Sequence, residues 1–378
     1  MTRLLGRRPV AYALGALAIL VLSACSSGPK KPKPADLGAP TQLMGTRQIW
    51  TANVGQGGNG FVPVQAEGRV FAAGAAGVVV AIDAKTGADV WRLELRQRLS
   101  TGVGSDGRTA AVITADNALV AIADGKESWR VRLGARSFTP PLVAGGRVFV
   151  LTADRSIVAY DAANGARLWN QTRTGDPLTL NQPAALTAVG DTLIAGVSGR
   201  LAGLNPDNGA VRWETTVATS RGTNEVERLV DVVAPVSRIG TSLCVRAYSA
   251  AVGCVDGVRG SVLWTKPAQG VVGVHGDDRQ VYGSESNGQL VAWRRDSGES
   301  AWTSDRLKYR QLTAPLALGR VIAVGDSTGL VHLLSREDGS EMARLSTDGS
   351  AIVSQPLLAG DALVVMTARG SLHAWRPE

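Results

Sequence analysis

Short apolar runs alternate along this chain with turns rich in Gly, Asp and Asn, and the runs recur on a period. One kind of run is VVVAID at residues 78–83 or IVAYD at 157–161. A second kind lies upstream and opens on glycine: Gly68-Arg-Val-Phe-Ala, Gly146-Arg-Val-Phe-Val, Gly319-Arg-Val-Ile-Ala and Gly360-Asp-Ala-Leu-Val. Downstream comes Gly-x-x-x-Trp, at Gly87/Trp91, Gly125/Trp129, Gly165/Trp169, Gly209/Trp213, Gly260/Trp264 and Gly298/Trp302. A seventh copy keeps Gly339 and has Ala343 in place of the tryptophan. The glycines are 38, 40, 44, 51, 38 and 41 residues apart. Each unit reads as about four short β-strands joined by tight turns. Four strands in ~40 residues is the size of a propeller blade. A lone four-stranded sheet has two apolar faces and buries neither, whereas blades set in a ring bury both against their neighbours.

The fullest copy is Ala81-x-Asp83-x-x-Thr86-Gly87-x-x-x-Trp91-Arg92. Asp83 is suited to cap its own turn through backbone N–H groups, Gly87 to take the positive-φ position, and Trp91 to supply a large buried face between blades. The aspartate recurs at Asp161 and Asp256; Asn205, Arg294 and Ser335 replace it elsewhere, and Asp124 sits in a shortened turn. Residues remain at both ends. Pro356–Trp375 reads as the first part of another unit, stopping before its tryptophan strand, and Gln48-Ile-Trp50 reads as such a strand with nothing before it. Trp50 lies 41 residues before Trp91, one repeat. The pattern therefore predicts an all-β fold, an eight-bladed β-propeller of four-stranded antiparallel blades, closed by pairing an N-terminal strand with the last strands. Closure also hides sheet edges that would invite aggregation. The tryptophans expected to dock blades are Trp50, Trp91, Trp129, Trp169, Trp213, Trp264 and Trp302. Two repeats are longer than the rest, between Trp169 and Leu193 and between Trp213 and Leu243, and insertions in a propeller project as loops on a face, where function resides.

The N-terminus has a different pattern. MTRLLGRRP carries three arginines and no acid, and residues 10–22 are thirteen uncharged positions. That is short of the ~20 residues a spanning helix needs and reads as a secretory signal. It ends Leu22-Ser23-Ala24-Cys25, which resembles the bacterial lipobox; the resemblance implies cleavage before Cys25, its lipidation, and, with Ser26 next, sorting to the outer membrane. SSGPKKPKPADLGAP, residues 26–40, has four prolines and three lysines and no apolar face to pack. It reads as a tether of roughly 45 Å at ~3.1 Å per residue. The expected organisation is 1–24 signal peptide, 25–45 lipidated N-terminus and flexible tether, and 46–378 propeller. Loss of the signal takes three arginines with it, so the formal charge falls from +8 to +5. Beyond the tether no basic block stands out, and a nucleic-acid partner, which needs a basic stripe, is not expected. Three widely separated histidines give no metal-binding spacing.

Cys244 and Cys254 fall on the second and third strands of one unit. A hairpin centred on Ser249 sets them opposite one another, with Cβ atoms ~4.5–5.5 Å apart, close to what a disulfide needs. An oxidising periplasm favours the bond. A register one residue away would leave two buried thiols on opposite faces.

The repeat resembles the tryptophan-docking repeat of pyrroloquinoline quinone (PQQ)-type propellers. That raises a quinoprotein dehydrogenase as one reading. The enzymes of that group have a much longer chain, a vicinal disulfide and a calcium site; this sequence has no Cys-Cys pair, no acidic cluster that stands out, no G-x-S-x-G and no His-led triad. His332 and His373 occupy equivalent repeat positions, which points to packing. No catalytic residue, metal or cofactor is expected.

With lipobox, tether and eight degenerate repeats together, the chain resembles the BamB-type propeller lipoproteins of the outer-membrane β-barrel assembly machinery. The most specific stretch is Arg221-Gly-Thr-Asn-Glu-Val-Glu-Arg-Leu-Val-Asp231-Val-Val, similar to that family's G-S-T-E-I-D-R-L-S-D-V-D. The resemblance implies a non-catalytic scaffold that binds a periplasmic POTRA domain of the barrel subunit BamA and works with other assembly subunits, with direct contact to nascent barrel strands left open. It also implies partner-binding residues: Leu178, Leu180 and Asn181, where the family has Leu-x-Leu-Arg, and Arg228 and Asp231 of the second stretch, whose Asp-Val-Asp in the family reads Asp231-Val-Val233 in this chain. Both departures remove charge. An envelope scaffold unrelated to barrel assembly is the other reading.

Overall fold

The structure, a computed structural model, describes residues 32–58, 60–173, 178–220 and 229–378. Cys25, Arg228 and most of the 221–233 stretch lie outside the described residues. Every regular element among the described residues is a β-strand, and the strands form eight four-stranded antiparallel sheets. Blade 1 consists of Val64–Ala66, Arg69–Ala73, Val78–Asp83 and Asp89–Glu94, running outward from the centre of the ring. Blades 2 to 7 repeat this meander over 104–132, 142–172, 186–216, 232–267, 274–304 and 316–346. Blade 8 takes Leu357–Ala359, Ala362–Met366 and Ser371–Pro377 from the C-terminal end, and its outer strand is Thr46–Asn53. That strand pairs antiparallel with the last one from Thr46 opposite Pro377 to Asn53 opposite Ser371. The expected eight blades and N-terminal closing strand are both present.

Second and third strands are almost wholly buried, as in Val79–Ile82 and Ile194–Ala195, because each is covered on both faces by neighbouring blades. Outer strands alternate exposed and half-buried positions, since one face meets solvent. The repeat motif is explained at the turn between third and outer strands. Asp83 Oδ1 accepts from the backbone N–H of Lys85 and Thr86 and from the Thr86 hydroxyl, at 3.0, 2.9 and 2.9 Å. Asp161 and Asp256 cap their own turns in the same way. The glycine that follows has φ near +75° at Gly87.

The tryptophan packs on the glycine of the following blade, not on that of its own. A Cβ on Gly87 would lie 2.5 Å from Trp50, and one on Gly209 would lie 2.6 Å from Trp169. Gly125, Gly165, Gly260, Gly298 and Gly339 are covered likewise by Trp91, Trp129, Trp213, Trp264 and Trp302. Several indole N–H groups donate to a carbonyl in that same turn, Trp50 to Ala84 at 3.0 Å and Trp264 to Arg295 at 2.7 Å. Each tryptophan also ends a row across its own sheet. In blade 3 the row is Leu142, Phe149, Ala159, Trp169. In blade 5 it is Ser237, Cys244, Cys254, Trp264, and the two cysteines, paired in register with Cα atoms 4.0 Å apart, are joined by a disulfide. The hairpin between them turns at Ser249, with φ of +48°.

The segment expected as a flexible tether reaches into the fold. Ala35 N donates to Lys308 O and Leu43 N to Met342 O, at 2.9 and 2.8 Å, while Arg344 holds the carbonyls of Leu37 and Gly38. Leu37 and Met44 pack against buried clusters of blades 6 to 8. These two apolar side chains, together with backbone partners offered by the ring, supply what the Pro/Lys composition lacks. His332 and His373 are both buried, yet they differ: His332 Nε2 meets Asp326 at 3.0 Å, whereas His373 stacks on Trp375.

Candidate functional site

In a four-stranded meander the turns between second and third strands lie on the same face as the blade-to-blade connections. On that face the two longest connections are 173–185, from blade 3 to blade 4, and 217–231, from blade 4 to blade 5. Asp231, at the end of the second, fastens them together. Its Oδ2 accepts from Leu180 N at 3.0 Å and its Oδ1 from Ser198 N at 3.2 Å. Arg155, from the hairpin of blade 3, lies 3.6 Å from the carboxylate, donates to Leu178 O at 3.0 Å and also donates to the Ser198 hydroxyl. Tyr248 N of blade 5 donates to Asp231 O. The side chains of Arg155 and Asp231 are only 8% and 13% exposed. A charge expected at a partner's surface is thus turned inward, because three blades converge on it and leave their backbone N–H groups to be satisfied.

This fastening leaves part of the first connection outward. Leu178 is 39% exposed, an unusual position for a large apolar side chain with its own carbonyl tied down. Asn181 is exposed, and Leu180 is half-buried over a crevice shared with Phe138, Leu151 and Val197. Further on, Gln182 Nε2 donates to Val271 O of the connection entering blade 6 at 3.1 Å, Ala184 N donates to Thr139 Oγ1 and Pro183 O accepts from Ala234 N. Gln182, Pro183 and Ala184 line the central cavity of the ring, about 250 Å³, together with inner-strand residues such as Val64, Leu142 and Leu186. The structure therefore brings Leu178, Leu180, Asn181 and Asp231 together over blades 3 to 5. Cys244 and Cys254 lie apart, within the sheet of blade 5.

Arg155 and Ser198 were not found from the sequence. A signal for Arg155 was there. The third residue of its turn has φ of +65°, where other blades use Gly77, Gly288, Gly329, Gly370 or Asn117. An arginine in that left-handed position is uncommon and marks a side chain held for its contacts.

Two further buried charge clusters lie on the same face. Arg246, fully buried, meets Glu285 at 2.9 Å. Asp326 accepts from Arg310 Nε at 2.7 Å and pairs with His332. Burial alone would push the Asp326 carboxyl up, but hydrogen bonds from His332, Arg310 and Thr328 outweigh it and hold the group below the usual carboxylate range. Among the described residues no group of three or more His, Cys, Asp or Glu is placed to hold a metal ion. The described lining of the central cavity has Ser105, Thr139, Gln182 and Gln355 as its polar side chains, and no acid or base. A quinone cofactor and its cation would require charged groups that this lining does not offer.

Comparison with known proteins agrees with the geometry. A family model described as outer membrane protein assembly factor BamB matches residues 44–100 and 75–304. The BamB of Burkholderia pseudomallei (strain K96243) is 39% identical over 367 residues, 96% of each chain. That of Bordetella pertussis (strain Tohama I) is 40% identical over 361 residues, 94% of each. The crystal structure of BamB from Moraxella catarrhalis superposes with a TM-score of 0.80 at 26% identity, covering 88% of this chain and 99% of that one. A quinohemoprotein alcohol dehydrogenase from Comamonas testosteroni has a TM-score of 0.67 at 15% identity, over 87% of this chain and 76% of that one, a likeness of fold alone. With near full-length identity to curated relatives and the same eight-bladed ring, this chain belongs to the BamB family of outer membrane protein assembly factors.

Proposed function

We propose that this chain is a non-catalytic scaffold in outer-membrane β-barrel assembly, tethered to the outer membrane through a lipid on Cys25 and facing the periplasm. It binds a periplasmic POTRA domain of BamA with the surface formed by residues 178–181 and held by Asp231. Relatives named as outer membrane assembly factors support the process. The observation that carries the site is the exposed Leu178 on a connection whose backbone is pinned from two sides by Arg155 and Asp231. Such a surface is pre-ordered, so binding loses little entropy in arranging it. Leu178 is the apolar anchor, Asn181 a polar neighbour, and Asp231 acts by positioning rather than by touching the partner.

Leu178→Glu tests this reading. The Leu178 side chain is exposed, so melting should change little. Loss of a central apolar anchor costs about 2 kcal/mol or more, ~30-fold in affinity. Co-purification with BamA should fall accordingly, and outer-membrane barrel levels with it. Undiminished co-purification by the variant rejects the surface.

A further inference from the structure

Seven of the eight junctions between blades are filled by a tryptophan lying on the next blade's glycine turn. The junction from blade 7 to blade 8 is not. There the row across the sheet is Leu316, Ala323, Leu333, Ala343, where blade 1 has Val64, Phe71, Ala81, Trp91. Large and small have changed places: Leu333 grows where an alanine usually sits, and the two ring-bearing positions shrink to alanine. The reason lies in blade 8. Blade 8 takes its third and outer strands from distant parts of the sequence, with Glu378 N donating to Gly45 O at 3.1 Å, so no turn joins them for an indole to cover.

Leu333 does not fill the space. A cavity of about 320 Å³ remains between the two blades, walled by Met44, Leu333, Leu345, Leu363 and Trp375. Its rim carries Arg376, which is paired with Asp361 at 2.8 Å, and Arg320. Arg320 is exposed, and its side chain makes no hydrogen bond or ion pair among the described residues.

We propose that this cavity is a binding site for a planar aromatic ring of indole size bearing a carboxylate. The ring takes the place of the missing tryptophan against Leu345 and Trp375, and the carboxylate is met by the Arg320 guanidinium. Apolar walls with a few charged groups at the mouth are the usual composition of a small-molecule site; Arg376 and Asp361 satisfy each other there, and the unpaired Arg320 guanidinium is suited to a carboxylate.

The test is calorimetry on the purified full chain with indole-3-propionate and with indole. Expected are one-to-one, saturable binding of the acid and weaker binding of indole. Arg320→Glu should weaken the acid at least tenfold and change indole less than twofold. Leu345→Trp, which fills the cavity from its own wall, should abolish both. If that variant fails to fold, Arg320→Glu still decides, since Arg320 holds nothing in the fold. No saturable binding of the acid to the unaltered chain, or binding of the acid that Arg320→Glu leaves unchanged, overturns the proposal.

Discussion

Asp231 is a charge that the fold uses inward, and its energetics follow from that position. It accepts two backbone hydrogen bonds and faces Arg155, with little of either side chain in solvent. Asp231→Ala leaves those two backbone donors unsatisfied and takes the carboxylate away from Arg155, at a cost of about 2–4 kcal/mol. A fall of that size in unfolding free energy by denaturant titration is expected, together with easier proteolysis at 173–185. The family motif pointed to this residue, but the motif could not say which way the side chain turns, because that depends on blades 3 and 5 meeting it. His275 gives a second prediction at this scale. Its Nδ1 accepts from Ala317 N of the next blade at 3.1 Å, and burial, helped by Arg295, lowers its pKa from 6.5 to about 4. The unfolded chain takes up a proton as pH falls through 6.5, while the folded chain resists until about 4. Stability is therefore fully present above pH 6.5 and declines between the two values, by on the order of 3 kcal/mol for a shift of this size. His275→Asn retains an acceptor and removes the titration, so its stability between pH 6.5 and 4 should be flatter than that of the unaltered chain in parallel melts.

At the scale of strands and turns, the docking pair is a unit shared by two blades. Gly209 combines a φ of +74° with direct cover by Trp169. Gly209→Ala strains the turn and drives a methyl group into the indole, and the two effects together cost about 2–4 kcal/mol. A lower melting temperature with the strand signal retained at room temperature is the expected result; melting like the unaltered chain would remove the docking role. Much of this scale could be read in advance. The Gly-x-x-x-Trp spacing is a local pattern, and so are the Asp-capped turns and the position of the hairpin between Cys244 and Cys254. What could not be read is the partner of each tryptophan, since the glycine it covers lies a full repeat away and the motif places one much nearer. Ala343 stands at the one junction where the ring provides no turn to dock on. The 35–44 segment was hidden for a similar reason: its composition is that of a spacer, and its partners Lys308, Met342 and Arg344 are some 300 residues distant.

In the whole molecule, the ring depends on one non-covalent junction, Thr46–Asn53 against Ser371–Pro377. Removal of residues 371–378 takes away the strand that joins the outer strand to the rest of blade 8, along with Leu372, Ala374 and Trp375 from two buried clusters. The loss is comparable with the ~5–15 kcal/mol that holds a typical fold together. The truncated chain should show no single cooperative melt by calorimetry. The junction also imposes an order in time. A chain made from its N-terminus presents Thr46–Asn53 first and that strand's partner last, with seven blades between them. Throughout that interval the earliest strand has an open edge, and only the final residues can cover it. The clasp therefore acts as a mark of completeness. A product that stops early, at whatever blade, keeps its first strand unpaired and is distinguishable from a finished one by that edge alone.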